Sequence, residues 1–183
     1  YNEGDSAISV QSCRAPGLQD VVQFTKGTPD LSKLDLQTIK DITSQYEKII
    51  AKYPQLKGKF SEIVVRDLND PHLYAKSLGH RRDNLLNEYW WTDIDKLTKG
   101  YVNDVELGFH PVGTNYMSLI PHEVGHVIDS ILIRTRYSTL NPRGHESPST
   151  PMRRQVLKEL GLTKKDIAAG LSGYGSKDDW EFF

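Results

Sequence analysis

The chain has 183 residues, a length that fits one domain or one domain with a helical appendage. Hydrophobic residues make up 37% and charged residues 26%, so we expect a soluble protein with a buried core. The net charge is -1 without a stripe of Lys or Arg, which gives no reason to expect nucleic acid or an anionic membrane as partner. No apolar run approaches the roughly 20 residues that span a bilayer.

The single cysteine, Cys13, excludes an internal disulfide and a cluster of several thiolates around a metal. We interpret it as an incidental thiol in a loop. The sequence begins at Tyr1 without Met and shows no signal-peptide pattern. We therefore expect a processed product or a piece of a longer polypeptide, and the oligomeric state stays open.

The first part of the chain predicts an irregular arm followed by a helix. Residues 1–30 are rich in Gly, Ser, Asp and Pro and have little periodicity. Apolar residues at helical spacing then predict a helix from Leu31 to about Tyr53. Asp30 or Ser32 is the expected cap, and Pro54 is expected to end the helix.

The middle of the chain is less regular. A run of β-branched residues predicts a strand over residues 60–67. Residues 73–78 and 85–92 each fit either a strand or a short helix. We interpret the aromatic run at 89–91 as part of the core or of a sheet face rather than as a ligand platform. Residues 101–109 alternate in polarity and are predicted to form a strand.

The last part of the chain is predicted to be mainly helical. One helix is expected from Ser118, as its N-cap, to about Thr135. A loop rich in Pro should follow over residues 138–151, and two short helices over 152–160 and 163–170. After a turn-rich link, residues 178–183 are predicted to open a final helix.

Five residues of the predicted helix, His122-Glu123-Val124-Gly125-His126, carry the clearest chemical signal. Two His four positions apart lie on one helical face, so both imidazoles can reach one ion, and Zn²⁺ suits neutral imidazole. Glu123 would lie beside the metal, where it can take a proton from zinc-bound water and pass it to the leaving amine. The pattern predicts a zincin-type peptidase, and the alternative interpretation is a solvated helix with two surface histidines.

A third metal ligand is needed, because catalytic zinc normally has three protein ligands and one open position. The metzincin motif would place a His at position 132, which is Leu here, so that class is excluded. Glu146 follows at a thermolysin-like interval, but it lies in a loop sequence, as does its neighbour His145. Glu181, on the predicted opening turn of the last helix, is the remaining candidate.

Two segments, HEVGHVID at residues 122–129 and YGSKDDWEFF at residues 174–183, resemble the catalytic domain of anthrax lethal factor. They also resemble related bacterial and phage-associated metallopeptidases that carry a late Glu-Phe-Phe-Ala-Glu helix. The resemblance implies that Glu181 is the third zinc ligand and that Tyr174 stabilises the oxyanion of the tetrahedral intermediate. Because the sequence ends at Phe183, we expect a truncated C-terminal helix and weaker zinc binding than in a longer chain.

The sequence thus predicts an α+β, zincin-like domain over residues 31–183, with a small mixed sheet packed on the HExxH helix and further helices after it. Its predicted function is Zn²⁺-dependent endopeptidase activity on a peptide or protein substrate. The alternative is a catalytically silent zincin-fold structural or binding domain of a phage or mobile-element protein. A larger bacterial or phage protein and a secreted effector both stay open as the source. The segment Val102–Phe109 is the candidate edge strand for pairing with extended substrate.

Other polar residues carry weaker predictions. Asp129 follows His126 by about one turn, so it could orient a ligand imidazole or could be an ordinary surface carboxylate. His110 is predicted to have no metal role, and His72 and His80 are assigned no role.

Overall fold

The computed structural model describes residues 30–78, 81–132, 149–163 and 165–166, apart from the side chains of Leu132 and Met152. The first four of its regular elements are helix α1 (Leu36–Lys52) and strands β1 (Ile63–Arg66), β2 (Ala75–Leu78) and β3 (Asp83–Asn87). Four more helices follow: α2 (Glu88–Trp91), α3 (Ile94–Glu106), α4 (Leu119–Leu132) and α5 (Ser149–Leu160). The α+β class is confirmed. Among the described residues, no helix is both long enough and apolar enough to cross a membrane.

The three strands form one small mixed sheet in the order β1-β3-β2. β1 runs parallel to β3, with Val64 opposite Leu85, and β2 runs antiparallel to β3, with Lys76 opposite Leu85. Asp30 adds a parallel bridge to Val64 on the outer side of β1. All five residues of β3 are buried, as expected for the central strand of a sheet that packs on helices. The predicted small mixed sheet is therefore confirmed.

The core lies where α1, α4 and the sheet meet. Helix α4 packs against α1 and against strands β2 and β3. The largest fully buried side chains are Trp91, Tyr46, Phe60, Leu31, Ile42, Ile63, Leu86, Leu97, Ile120 and Val124. Burying a large apolar side chain contributes about 1.5–3 kcal/mol, so the face of α4 that carries Ile120 and Val124 fixes this helix firmly on the sheet.

Helix α1 is present as predicted, but its first turn is not. The helix begins at Leu36, and the carboxylate of Asp35 accepts hydrogen bonds from the amides of Gln37 at 2.9 Å and Thr38 at 3.0 Å. The predicted caps were wrong because the backbone of Asp30 is used in the bridge to β1. The helix ends at Lys52, just before Pro54, as predicted.

The predicted strand over Tyr101–Phe109 was wrong, because helix α3 covers residues 94–106. The carboxylate of Asp93 caps this helix by accepting from the Lys96 amide at 2.9 Å. Leu97 and Tyr101, four positions apart, are both buried on its inner face. The proposed edge strand Val102–Phe109 therefore does not exist.

The two segments that fitted either a strand or a helix, residues 73–78 and 85–92, meet at the buried side-chain amide of Asn87. The first contains strand β2, and the second changes at Asn87 from strand β3 to helix α2. Asn87 is fully buried, and its amide nitrogen donates to the carbonyls of Asp70 at 2.8 Å and Leu73 at 2.6 Å. Its amide oxygen accepts from the Tyr89 amide at 3.3 Å and so caps α2.

The aromatic run at 89–91 divides between the core and the surface. Trp91 is fully buried, and Trp90 packs on the core with its ring centroid 4.8 Å from that of Tyr74. Tyr89 is 48% exposed, and the Lys96 ammonium lies 3.0 Å from its ring centroid. The prediction of a core role is confirmed for the two tryptophans and wrong for Tyr89.

Helix α5 begins at Ser149, earlier than predicted, so residues 149–151 are helical and not part of the loop. Gly161 follows the helix with φ at +65°, a conformation that glycine adopts without strain, and it ends the helix as predicted. The predicted arm before Asp30, the remainder of the loop, most of the helix at 163–170 and the final helix at 178–183 lie outside the described residues.

Candidate metal and catalytic site

The five residues His122 to His126 lie in helix α4, as predicted from their spacing. A single 3-10 turn, Tyr116–Ser118, leads into this helix. The side chain of Asn115 caps the 3-10 turn by accepting a hydrogen bond from the Met117 amide at 3.0 Å. Ser118 is therefore part of the turn and not the cap. The described part of α4 ends at Leu132, so the predicted end near Thr135 lies outside the described residues.

The two imidazoles of α4 converge. The Nε2 atoms of His122 and His126 are 3.1 Å apart, and their ring planes are 83° to one another. Two nitrogen ligands of a tetrahedral zinc, each at about 2.0–2.1 Å, are separated by about 3.3 Å. Both side chains are half-buried. The two Nε2 atoms are within hydrogen-bonding distance of one another, and their separation is also close to that of two nitrogen ligands on one metal ion.

Glu123 lies between the two histidines in sequence and is 7% exposed. Its backbone carbonyl accepts a hydrogen bond from the Ser77 hydroxyl on β2 at 2.7 Å. Burial raises the pKa of the Tyr46 hydroxyl on α1, the hydrogen bond with Asn84 opposes this, and the charge of Glu123 raises it further. The carboxylate of Glu123 thus lies within electrostatic range of the Tyr46 hydroxyl.

His110 lies nearer to this site than the sequence suggested. It follows α3, is 9% exposed, and stacks on Tyr101 with ring centroids 4.3 Å apart and planes at 7°. Burial lowers the pKa of His110, the carboxylate of Asp104 opposes this, and the imidazole of His122 lowers it further. His110 thus lies within electrostatic range of His122. The only signal in the sequence was its place just before the helix.

Within the described part of the chain, no group of three His, Cys, Asp or Glu side chains is arranged to hold a metal ion, so no third ligand for the histidine pair is identified there. The predicted ligand Glu181 and the predicted oxyanion donor Tyr174 lie outside it, as do the alternatives Glu146 and His145. The structure therefore describes a histidine pair on α4 with Glu123 between the two in sequence, and the assignments of Glu181 and Tyr174 stay predictions.

The remaining candidates differ in their positions. Asp129 is 9% exposed and lies about one turn beyond His126 on α4, where its suggested role in orienting an imidazole stays a prediction. His72 is exposed in a turn, where its amide donates to Asp70 Oδ1 at 2.9 Å. His80 lies outside the described residues.

Sequence reasoning missed three polar residues beneath the site: Tyr46, Ser77 and Asn84. Tyr46 and Asn84 are fully buried, and Ser77 is partly buried. Tyr46 was assigned only to an apolar helix face, and Ser77 to a segment that fitted either strand or helix. For Asn84 the available signal was its position directly before the apolar pair Leu85 and Leu86, which suggests burial. A buried amide needs hydrogen-bond partners, so Asn84 could have been expected to join a polar network.

Comparisons with known proteins do not assign this chain to a family. No family model matches the chain, and no curated protein or solved structure matches it.

Proposed function

We propose that this protein is a zinc-dependent endopeptidase with a zincin-like domain, in which His122 and His126 bind the metal and Glu123 is the general base. The observation that carries the proposal is the 3.1 Å separation of the two Nε2 atoms on the helix that also holds the buried Glu123. Zinc bound there would lower the pKa of a bound water and polarise the scissile carbonyl.

Glu123 is suited to moving the proton in this reaction. Placed next to a metal ligand on α4, it can take the proton of the attacking water and deliver it to the leaving nitrogen. Its low exposure limits competition from bulk water for that proton. The hydrogen bond from Ser77 to its carbonyl holds this turn of α4 against β2.

An extended peptide is the substrate class that the sheet supports. Strand β2 lies at one end of the order β1-β3-β2, so among the described strands its outer side has no pairing partner. The same strand packs against α4 and contacts the backbone of Glu123. A peptide that adds to this edge would lie beside the histidine pair, with affinity from backbone hydrogen bonds. Strand β2 thus replaces Val102–Phe109 as the candidate edge strand.

Completion of the site rests on the resemblance to lethal-factor peptidases. By that resemblance Glu181 supplies the third ligand and Tyr174 the oxyanion donor. A carboxylate would complete a two-His-one-Glu set, a known catalytic zinc arrangement. A phenol hydroxyl is a suitable donor to the developing oxyanion.

Metal analysis combined with peptide cleavage tests the proposal. The zinc-loaded chain should contain one zinc and cleave members of a degenerate peptide library. Glu123→Gln should keep the zinc and lose activity by about 100-fold or more, the range for removing a general base. The matched control is Glu47→Gln, at an exposed position on α1. Cleavage by Glu123→Gln at the wild-type rate would contradict the assignment.

Chelator competition tests the ligands separately from cleavage. His126→Ala should lower zinc affinity at least about tenfold, whereas His72→Ala, at an exposed turn, should not change it. The same measurement on Glu181→Gln and Glu146→Gln decides between the two carboxylates. A chain that binds zinc through these residues but cleaves no peptide would support the silent zincin-fold binding domain instead.

A further inference from the structure

A chain of buried polar groups connects the core to the backbone of Glu123. The Asn84 amide nitrogen on β3 donates to the Tyr46 hydroxyl on α1 at 2.8 Å. The Ser77 hydroxyl on β2 lies 2.7 Å from Asn84 Oδ1 and 2.7 Å from the carbonyl oxygen of Glu123 on α4. Three side chains thus join α1, strands β2 and β3, and the helix of the histidine pair.

The hydroxyl of Ser77 has one hydrogen and two acceptors within reach, so its two contacts cannot both be donations. The Asn84 amide nitrogen donates to Tyr46, so the amide presents its oxygen to Ser77. The single hydrogen of Ser77 therefore lies between two acceptors, Asn84 Oδ1 and the carbonyl oxygen of Glu123, each 2.7 Å away. The polar chain ends on the carbonyl of Glu123.

Such a chain is costly in an otherwise apolar region unless every member is satisfied. Tyr46 and Asn84 are fully buried, and Tyr46 belongs to the same hydrophobic cluster as Ile42, Ile63 and Leu86. Apolar side chains of similar size could fill that space. The polar groups instead provide a hydrogen bond of fixed direction between Ser77 on β2 and the carbonyl of Glu123 on α4.

We propose that Ser77, held by Asn84 and Tyr46, is a positioning residue for the general base. It would fix the turn of α4 that carries Glu123 relative to the edge of β2, where a peptide substrate would lie. Ser77 acts through Glu123 and not on the reacting atoms. The inference rests on the proposed peptidase function, because only there does the spacing between Glu123 and β2 affect a rate.

The magnitude follows from how sensitive reactions are to geometry. A misplacement of about 1 Å can cost about 100-fold in rate. Losing one of several restraints on α4 should move Glu123 by less, since Val124 and Val127 stay packed in the core. We therefore expect about a tenfold loss in kcat with KM and zinc content unchanged.

Ser77→Val and Ser77→Thr form the matched pair for the test. The two side chains have the same branched shape and suit a strand equally, but only Thr keeps the hydroxyl. We expect Ser77→Val to lose about tenfold in kcat and Ser77→Thr to recover the wild-type value. If Ser77→Val does not fold, Ser77→Ala replaces it in the comparison.

A second readout needs neither zinc nor substrate. Glu123-Val124 is the only Glu-Val pair in the sequence, so ¹³C-carbonyl Glu combined with ¹⁵N-Val isolates the Glu123 carbonyl in a nuclear magnetic resonance spectrum. In the zinc-free protein Ser77→Val should move this carbonyl resonance upfield, because a hydrogen bond is lost. Ser77→Thr should leave it at the wild-type position.

The outcomes separate the inference from the function on which it rests. A wild-type chain that binds no zinc and cleaves no peptide would overturn both. A wild-type peptidase with equal kcat in Ser77→Val and Ser77→Thr would overturn the positioning role alone. A raised KM with unchanged kcat in Ser77→Val would also overturn it, because Ser77 would then act on substrate binding.

Discussion

Replacing Tyr46 with Phe removes one hydroxyl from the start of the polar chain and leaves the aromatic ring in place. The ring is fully buried on α1 and packs edge-to-face on Phe60, with centroids 5.7 Å apart and planes at 81°. That packing persists in Tyr46→Phe. The loss is therefore confined to the polar contacts of the hydroxyl, which include the hydrogen bond that it accepts from Asn84 at 2.8 Å.

The size of the loss follows from the burial of both partners. A buried hydrogen bond contributes about 0.5–1.5 kcal/mol net, and a buried group left unsatisfied costs about 1–3 kcal/mol. Asn84 is fully buried, so its amide cannot turn to water. We expect Tyr46→Phe to lower the free energy of unfolding by about 2 kcal/mol. For a domain of this size that corresponds to a fall in Tm of about 4–8 °C.

Urea unfolding followed by tryptophan fluorescence measures this change, since Trp91 is fully buried and reports on the core. The control is Tyr89→Phe, whose ring is 48% exposed and whose free energy of unfolding should stay within about 0.5 kcal/mol of wild type. A Tyr46→Phe protein as stable as wild type, with the same dependence on urea, would refute the argument that Asn84 depends on this hydroxyl.

Two further stability predictions concern helix α3 and the start of α1. Gly100→Ala should lower the free energy of unfolding by about 1–2 kcal/mol, because the added Cβ would lie 2.9 Å from Cζ3 of Trp90. Asp35→Ala should cost about 1 kcal/mol at neutral pH through loss of the N-cap. Hydrogen bonds from Thr38 lower the pKa of Asp35, so its charged form stabilises the fold above a pH of about 4, and this contribution is lost as the pH falls further. The stability difference between wild type and Asp35→Ala should therefore shrink on acidification.

Thermal unfolding monitored by circular dichroism, repeated at several pH values for the Asp35 variants, measures both effects. Thr98→Ala on the exposed side of α3 is the control for Gly100→Ala and should be neutral or slightly stabilising. A more stable Gly100→Ala would show that the space beside Trp90 opens easily. Asp35→Asn keeps a capping oxygen without titrating there, so its stability should not follow that acid limb. A pH profile shared by Asp35→Asn and wild type would refute the assignment to Asp35.

The main helices were predictable because their periodicity is a local property. Ile39, Ile42 and Tyr46 on α1 recur at helical spacing, and all three are buried. Two histidines four apart on an uninterrupted helix must share a face, so the approach of His122 and His126 followed from the sequence as well.

The local pattern failed at Tyr101–Phe109, because apolar residues there fit both an alternating and a helical period. Leu97 lies four positions before Tyr101, and packing of both on the core selected the helix. The predicted cap of α1 was wrong for a related reason. Asp30 pairs with Val64, which is distant in sequence, so no local pattern could indicate that α1 begins after this pairing.

The sequence by itself determined the α+β class, the principal helices and the histidine pair with its carboxylate, because these depend on the spacing of neighbours along one element. Only the tertiary structure decided that β2 lies beside α4 at one end of the sheet formed by the described strands, since sheet order depends on which strands meet. It also decided that Ser77 reaches the carbonyl of Glu123 across a sequence separation of 46 residues. No local periodicity encodes such a contact, which arises only when the strand and the helix pack together.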